Sequence, residues 1–302
     1  SRYIASQEAG WRNAKHSYQW RSTIENFASP FIGGMRVSAI GTEEIMRVMS
    51  PIWVSKNETA QRLRGRIENI LDWCRVQGFC SGENPARWRG HLDKLLPKPS
   101  KITQVENHPA LPWQQMPAFM QALRERPGSS ARALEFIILT AARSGEARGA
   151  TWAEIDLDDR VWHVPGNRMK AGRPHDVPLS DAAVQVLETI RTDGDSGLIF
   201  KGRKDAELSD MSVLAVIRRM NSPEPVWKDR DGRPALVHGM RASFRMWAAE
   251  ATTYPREVAE HALAHQLPDR VEAAYQRSTQ FEKRRALMAD WGTFCTSEGK
   301  TV

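Results

Sequence analysis

The chain has 302 residues, more than one typical domain needs and comfortable for two, and its 41% hydrophobic and 8% aromatic content supports sizeable cores and excludes a disordered chain. No stretch approaches the ~20 apolar residues that span a bilayer. Residues 1–20 hold no apolar signal-peptide segment, and Cys74, Cys80 and Cys295 form an odd set without a disulfide framework, which points to a reducing, cytoplasmic setting. Lys and Arg number 43 against 36 acids, and residues 1–100 hold 15 basic against 9 acidic residues. A basic front half suits a polyanion, because clustered cations release counterions from phosphates; a well-solvated surface has the same composition.

In chain order, the front part reads as helical. Trp11 to Phe27 is a long pattern with few breakers, and Ser29-Pro30 and Gly33-Gly34 read as a break. Thr42 reads as an N-cap, with Glu43 and Glu44 in the first turn. From Glu58 to Gln77, the residues Ala60, Leu63, Ile67, Ile70, Leu71 and Cys74 recur at helical spacing and make one buried stripe. Arg62 and Arg66 sit four apart on another face, with Arg64 and Arg75 nearby. That face can lie on DNA backbone or be an ordinary solvated one. Leu96 to Pro112 is rich in proline and reads as a linker, which divides the chain into residues 1–104 and 105–302.

The second part opens with a helix capped by Ser130 and running through Thr140, with Leu134, Ile137 and Ile138 as its apolar contacts. The period then changes. Ile155 and Leu157, Val161 to Val164, and Asp176 to Leu179 read as short strands, separated by the turn-rich segments Asp158-Asp159-Arg160 and Gly166 to Pro174. Helical patterns resume at Ala182. The fold class is therefore mainly α with a small antiparallel β-sheet: a helical domain followed by an α+β domain.

Five places carry chemistry. Arg143, where a helix should end, can fork onto phosphate oxygens or pair with Glu146 and hold two helices together. Lys170, in a turn between strands, can reach a site and donate a proton, or be solvated. His238 and Arg241, three apart, share one helix face and can present donors to one phosphate, or be a capping histidine beside a surface arginine. His261 and His265 are four apart, but His-Ala-Leu-Ala-His lacks a zincin glutamate and a third ligand, so no metal is expected. Tyr275 is one of only four tyrosines, and such a residue usually packs in a core.

The order Arg143, Lys170, His238-x-x-Arg241, His265, Tyr275 resembles the catalytic series of the tyrosine recombinases, and the flanks resemble the prophage-integrase branch. Those flanks are Trp152-Ala153-Glu154-Ile155-Asp156, His175-Asp176-Val177-Pro178-Leu179-Ser180 and Arg284 to Trp291. The front part is similar to that branch's core-binding domain through Trp11-Arg12-Asn13-Ala14-Lys15-His16, Pro51-Ile52-Trp53, Glu58-Thr59-Ala60 and Asn84-Pro85-Ala86. Ala141 and Ala264 stand where the family often has glycine. An N-terminal arm-binding domain, usual in the branch, is missing, so the sequence is expected to be a piece of a longer protein.

The resemblance implies a site-specific recombinase that integrates or excises a mobile element. Tyr275 would attack phosphorus and form a 3′-phosphotyrosine. Arg143 and Arg241 would stabilise the charged transition state, Lys170 would be the general acid, and His238 and His265 would bind the phosphate, with His238 also accepting the tyrosine proton. Glu146 would position Arg143. Arg12, Lys15, Arg62 and Arg66 are the expected DNA contacts. The implied partners are double-stranded DNA attachment sites, a homo-tetramer on DNA and host or element-encoded DNA-bending and directionality factors; no cofactor, metal or membrane is expected. A type IB topoisomerase-like strand transferase, or a non-catalytic DNA-binding protein on the same fold, are the alternatives.

Overall fold

The structure, a computed structural model, describes residues 2–8, 10–11, 14–102, 107–192, 196–265 and 279–298. It divides into two compact units, Ser1–Glu106 and Asn107–Val302.

The first unit is helical: α1 (Arg2–Glu8), α2 (Ala14–Thr23), α3 (Ser29–Ile32), α4 (Thr42–Trp53), α5 (Asn57–Val76) and α6 (Pro99–Ile102), with a π-turn at Ile24–Ala28 joining α2 to α3. Ala60, Leu63, Ile67, Leu71 and Cys74 of α5 are buried, and the first four pack with Ile45, Val48, Met49, Ile52 and Trp53 of α4; Ile70 stays at the margin. The Trp53 indole donates to the Pro97 carbonyl at 2.9 Å, which ties the end of this unit to its core.

Two expected boundaries move here. Ser29 is helical (φ −57°, ψ −35°), and Pro30 falls in the first turn of α3, where its missing N–H leaves no bond unmade; the helix stops only at Gly33. The N-cap of α4 is Gly41 rather than Thr42. Its N–H donates to the Glu44 carboxylate at 2.9 Å, so a side chain one turn into the helix supplies the partner that a threonine cap would leave unmade.

The second unit contains α7 (Met116–Arg124), α8 (Ser129–Thr140), α9 (Ser144–Arg148), β1 (Ile155–Asp156), β2 (Val161–Val164), β3 (His175–Pro178), α10 (Asp181–Ile190), α11 (Asp210–Met220), α12 (Gly239–Glu250), α13 (Arg256–Ala262) and α14 (Phe281–Thr296). The strands form one antiparallel sheet in the order β1-β2-β3, with Trp162 opposite Val177 and Val164 opposite His175; Leu157 lies past the end of β1. The fold is mainly helical with one small sheet, as the change of period requires.

Helix α8 is the axis of this unit. Ala131 and every residue from Ala133 to Thr140 are buried, including Glu135, which is held between Arg124 (2.7 Å) and Arg132 (2.8 Å). Its N-cap is Gly128 at φ 96°, so the helix begins before Ser130: a glycine in the left-handed region turns the chain into the helix without needing a serine cap. Trp291 of α14 lies against α8, donating to the Ile138 carbonyl at 2.8 Å, and its ring sits 4.9–5.8 Å from those of Trp247, Phe244 and Phe294. Arg284, also buried, donates to the carbonyls of Thr279 (2.8 Å) and Asp176 (2.7 Å), joining α14 to β3. Among the described residues no helix is long and apolar enough to cross a membrane.

Trp291→Ala removes a fully buried ring and its bond to α8, and is expected to destabilise the protein by about 3–5 kcal/mol, read as a lowered urea midpoint.

Candidate active site

Two helix C-termini meet at one guanidinium. Helix α8 ends at Ala141, which adopts φ 49°, ψ 25°; α13 ends at Leu263, followed by Ala264 at φ 49°. A left-handed residue stops a helix and leaves its last carbonyls to find other partners. Arg241, on the first turn of α12 and buried, supplies them: Nη1 donates to the Ala141 carbonyl and Nη2 to the Leu263 carbonyl at 2.6 Å. Burial, reinforced by the nearby Arg143 charge, lowers its pKa to about 10, which leaves it cationic at neutral pH.

Arg143 follows the first of these turns. It donates to the Glu146 carboxylate at 2.8 Å and to the Ala264 carbonyl at 3.4 Å, while the second Glu146 oxygen accepts the Arg143 backbone N–H at 2.8 Å. One carboxylate thus caps α9 and orients the guanidinium at its start. His265 follows the second turn. Its Nδ1 lies 2.7 Å from Glu260, which also accepts from Arg245 at 2.7 Å, and its Nε2 lies 3.4 Å from Arg241 Nη2. The hydrogen bonds from Arg245 and His265 hold the Glu260 carboxyl below its usual range against the opposing effect of burial.

His238 precedes α12 and is exposed. Partial burial lowers its pKa, and His108, Arg241, Arg143 and His265 add to the effect, so the neutral imidazole dominates at pH 7. Lys170 is exposed on the turn between β2 and β3 and has no ion-pair partner among the described residues. Nearby Arg168 points inward to Glu154 and to the Glu146 carbonyl (3.1 Å), which anchors that turn to α9.

The structure therefore brings Arg143, Glu146, His238, Arg241 and His265 together, with Lys170 on an adjoining turn. Tyr275 and Arg12 lie outside the described residues; Lys15 falls in α2, and its side chain is outside the description as well. Arg62 and Arg66 are not equivalent. Arg62 is exposed and paired with Glu58, whereas Arg66 donates to the Gln19 carbonyl (2.7 Å) and Thr23 and lies 5.3 Å over the Trp20 ring, so it holds α5 to α2. Arg64 and Arg75 pair with Glu68 and Asp72, so acids of the same helix balance much of that face. Among the described residues no group of His, Cys, Asp and Glu is placed to hold a metal ion.

Four residues near the site carry no motif in the sequence: His108, Arg168, Arg245 and Glu260. Glu260 lies five residues before His265, across the end of α13, so helical spacing does not announce its contact either. His175, on β3, opens one of the flanks noted in the sequence, but its burial is not legible there. Its Nε2 is buried without a hydrogen-bond partner among the described residues, and burial, helped by the Arg284 charge, pushes its pKa down to about 4.

Comparison with known proteins shows the family. Residues 1–91 match the phage integrase central domain, and residues 110–281 match the phage integrase family. The chain belongs to the phage integrase family. Prophage integrase IntZ of Escherichia coli K12 is 30% identical over 293 residues, 96% of this chain and 68% of its own length. Prophage integrase IntA of the same organism is 30% identical, with 90% and 63% covered, and the integrase of Enterobacteria phage P4 is 28% identical, with 89% and 62% covered. The chain thus spans roughly two thirds of these relatives' length. Three solved structures share the fold. A lambda integrase dimer bound to a COC′ core site has a TM-score of 0.67 at 18% identity, covering 88% of this chain and 93% of that one. A lambda integrase tetramer bound to a Holliday junction has 0.66 at 18%, covering 89% and 76%. The Tn1549 transposon integrase in complex with circular intermediate DNA has 0.64 at 15%, covering 95% and 98%.

Two outcomes follow. Ala141→Gly and Ala264→Gly each remove a strained left-handed alanine and are expected to raise stability by about 0.5–1 kcal/mol, seen as a higher denaturation midpoint. His175 has a folded pKa below the unfolded value near 6.5, so the unfolded chain binds the extra proton between those limits. Its contribution is complete above about pH 6.5 and falls by something on the order of 3 kcal/mol as the pH drops toward 4. In His175→Gln the slope of the urea midpoint against pH in this window is expected to flatten.

Proposed function

We propose that this protein is a site-specific DNA recombinase that cleaves and rejoins duplex DNA through a 3′-phosphotyrosine. The observation that carries the reading is the pair Arg143 and Arg241. Arg241 is fixed by carbonyls at the ends of α8 and α13, and Arg143 by Glu146 and the Ala264 carbonyl, beside two histidines, while Glu146 and Glu260 are engaged in ion pairs. A phosphodiester is anionic and resists nucleophiles, and the rigid cations offset the charge that builds on its non-bridging oxygens in the pentacoordinate transition state.

In this reading Tyr275 attacks phosphorus in line. The new bond joins its phenolic oxygen to phosphorus, and the bond from phosphorus to the 5′-oxygen breaks. The phenol has an unperturbed pKa of about 10 and needs a base near neutral pH, so its proton passes to neutral His238. Lys170 protonates the departing 5′-oxygen, which leaves as a hydroxyl. His265, oriented by Glu260, donates to the phosphate. A 5′-hydroxyl from a second duplex reverses the sequence, so the bond energy stays in the protein–DNA link and no nucleotide cofactor is consumed.

The substrate in this proposal is a double-stranded attachment site of a mobile element, acted on by a homo-tetramer inside a bacterial cell; the lambda integrase tetramer on a Holliday junction supports that assembly. Residues 1–104 would grip DNA, and residues 105–302 would carry the chemistry. DNA-bending and directionality factors would set the balance between integration and excision.

Covalent trapping tests this. On a nicked attachment-site duplex that loses its short 5′-hydroxyl fragment, with EDTA present, a shifted adduct is expected on a denaturing gel and is expected to vanish in Tyr275→Phe. Tight binding without any adduct would favour a non-catalytic DNA-binding role, and an adduct that persists in the variant would assign another nucleophile.

A further inference from the structure

His108 lies in Asn107-His108-Pro109-Ala110-Leu111, far ahead of His238 in the chain and outside every helix and strand. The segment is fixed across the start of α12 by three contacts. The Leu236 N–H donates to the Pro109 carbonyl at 3.1 Å, and the Ser243 hydroxyl donates to the Leu111 carbonyl at 2.5 Å. At Gly239 the chains pass so closely that a Cβ would lie 1.9 Å from the Pro109 oxygen. Only glycine allows that approach, and it is the residue next to His238.

The result is a ring contact between two exposed imidazoles. The His108 and His238 centroids are 4.8 Å apart, with planes at 74°, an edge-to-face arrangement. An exposed side chain at the start of a helix ordinarily samples several rotamers. Here a second ring, carried by a segment whose Pro109 and Leu111 carbonyls are held in place, stands against it. The groups that face His238 come from four places: His108 from this segment, Arg241 from its own helix, Arg143 from the turn after α8, and His265 from the turn after α13. Each disfavours a second positive charge at His238.

We propose that His108 is a positioning residue of the recombination site, buttressing the His238 ring in the orientation that faces the arginine pair. This rests on the reaction proposed above. His108 does not itself transfer a proton; it restricts where His238 can point, and by proximity it favours the neutral, proton-accepting form of that ring.

The test uses the full chain, with two readouts. By NMR, the His238 ring is expected to titrate at higher pH in His108→Ala than in wild type, while His108→Phe, which keeps a ring at the contact, leaves the ring resonances closer to wild type. In the trapping assay, His108→Ala is expected to slow adduct formation about tenfold, a fraction of what proton transfer contributes, with partial rescue by His108→Phe. In a His238→Ala background the same change is expected to have no further effect. Because His108 is exposed, the melting temperature serves as a control and should not move. An unchanged His238 titration, or an equal loss of rate in the His238→Ala background, would overturn the proposal. If wild type forms no adduct, the reaction reading fails, and the ring titration alone still decides whether His108 buttresses His238.

Discussion

The burial of one positive charge organises the second unit. An isolated guanidinium removed from water is strongly destabilising, and Arg241 is tolerated because the ends of two helices supply carbonyls at it. Helix C-termini carry a partial negative charge, so α8 and α13 offset the cation as well as accept its hydrogen bonds. Those carbonyls are in place because Ala141 and Ala264 leave the right-handed region at the ends of these helices. The same turns then release Arg143 and His265 into the site, two residues and one residue later. The location of three candidate catalytic groups is thus one geometric fact, set by where two helices stop.

Around this centre each charged group is oriented by another. Glu146 holds Arg143, Glu260 holds His265, Arg245 holds Glu260, and Arg168 fixes the turn that carries Lys170 to the Glu146 backbone. Groups fixed before substrate arrives need little reorganisation when charge develops, which is why preorganised dipoles and cations are effective in phosphoryl transfer. The scaffold for that rigidity is α8, whose buried face touches the elements that carry the site.

Much of this architecture is legible in the residues themselves, for identifiable reasons. The stripe from Ala60 to Cys74 has one period over several turns, and only one helix satisfies it. The strands between Ile155 and Pro178 are marked by β-branched residues between turns. Local chemistry at helix starts is less legible, because neighbouring residues compete to cap the same end. Gly41 with Glu44 displaces Thr42 as the cap, and Gly128 displaces Ser130. Pro30 is read as a breaker although a first-turn proline is compatible with helix. Long-range partners are the least legible. The spacing of His108 from His238, or of Arg284 from Asp176, carries no periodic signal; only the folded chain brings them together. The basic face on α5 is ambiguous in the sequence for a related reason, since a string of arginines gives no sign of which ones the protein uses internally, as it does Arg66.

Arg284 has a consequence beyond its place in the core. Among the described residues the sheet has only three strands, so β3 is an edge, and an edge strand offers unpaired carbonyls to any other extended chain. The Arg284 guanidinium occupies the Asp176 carbonyl, and the same side chain is fastened at Thr279. A helix side chain therefore takes up one backbone acceptor on that edge, which is no longer free for another extended chain.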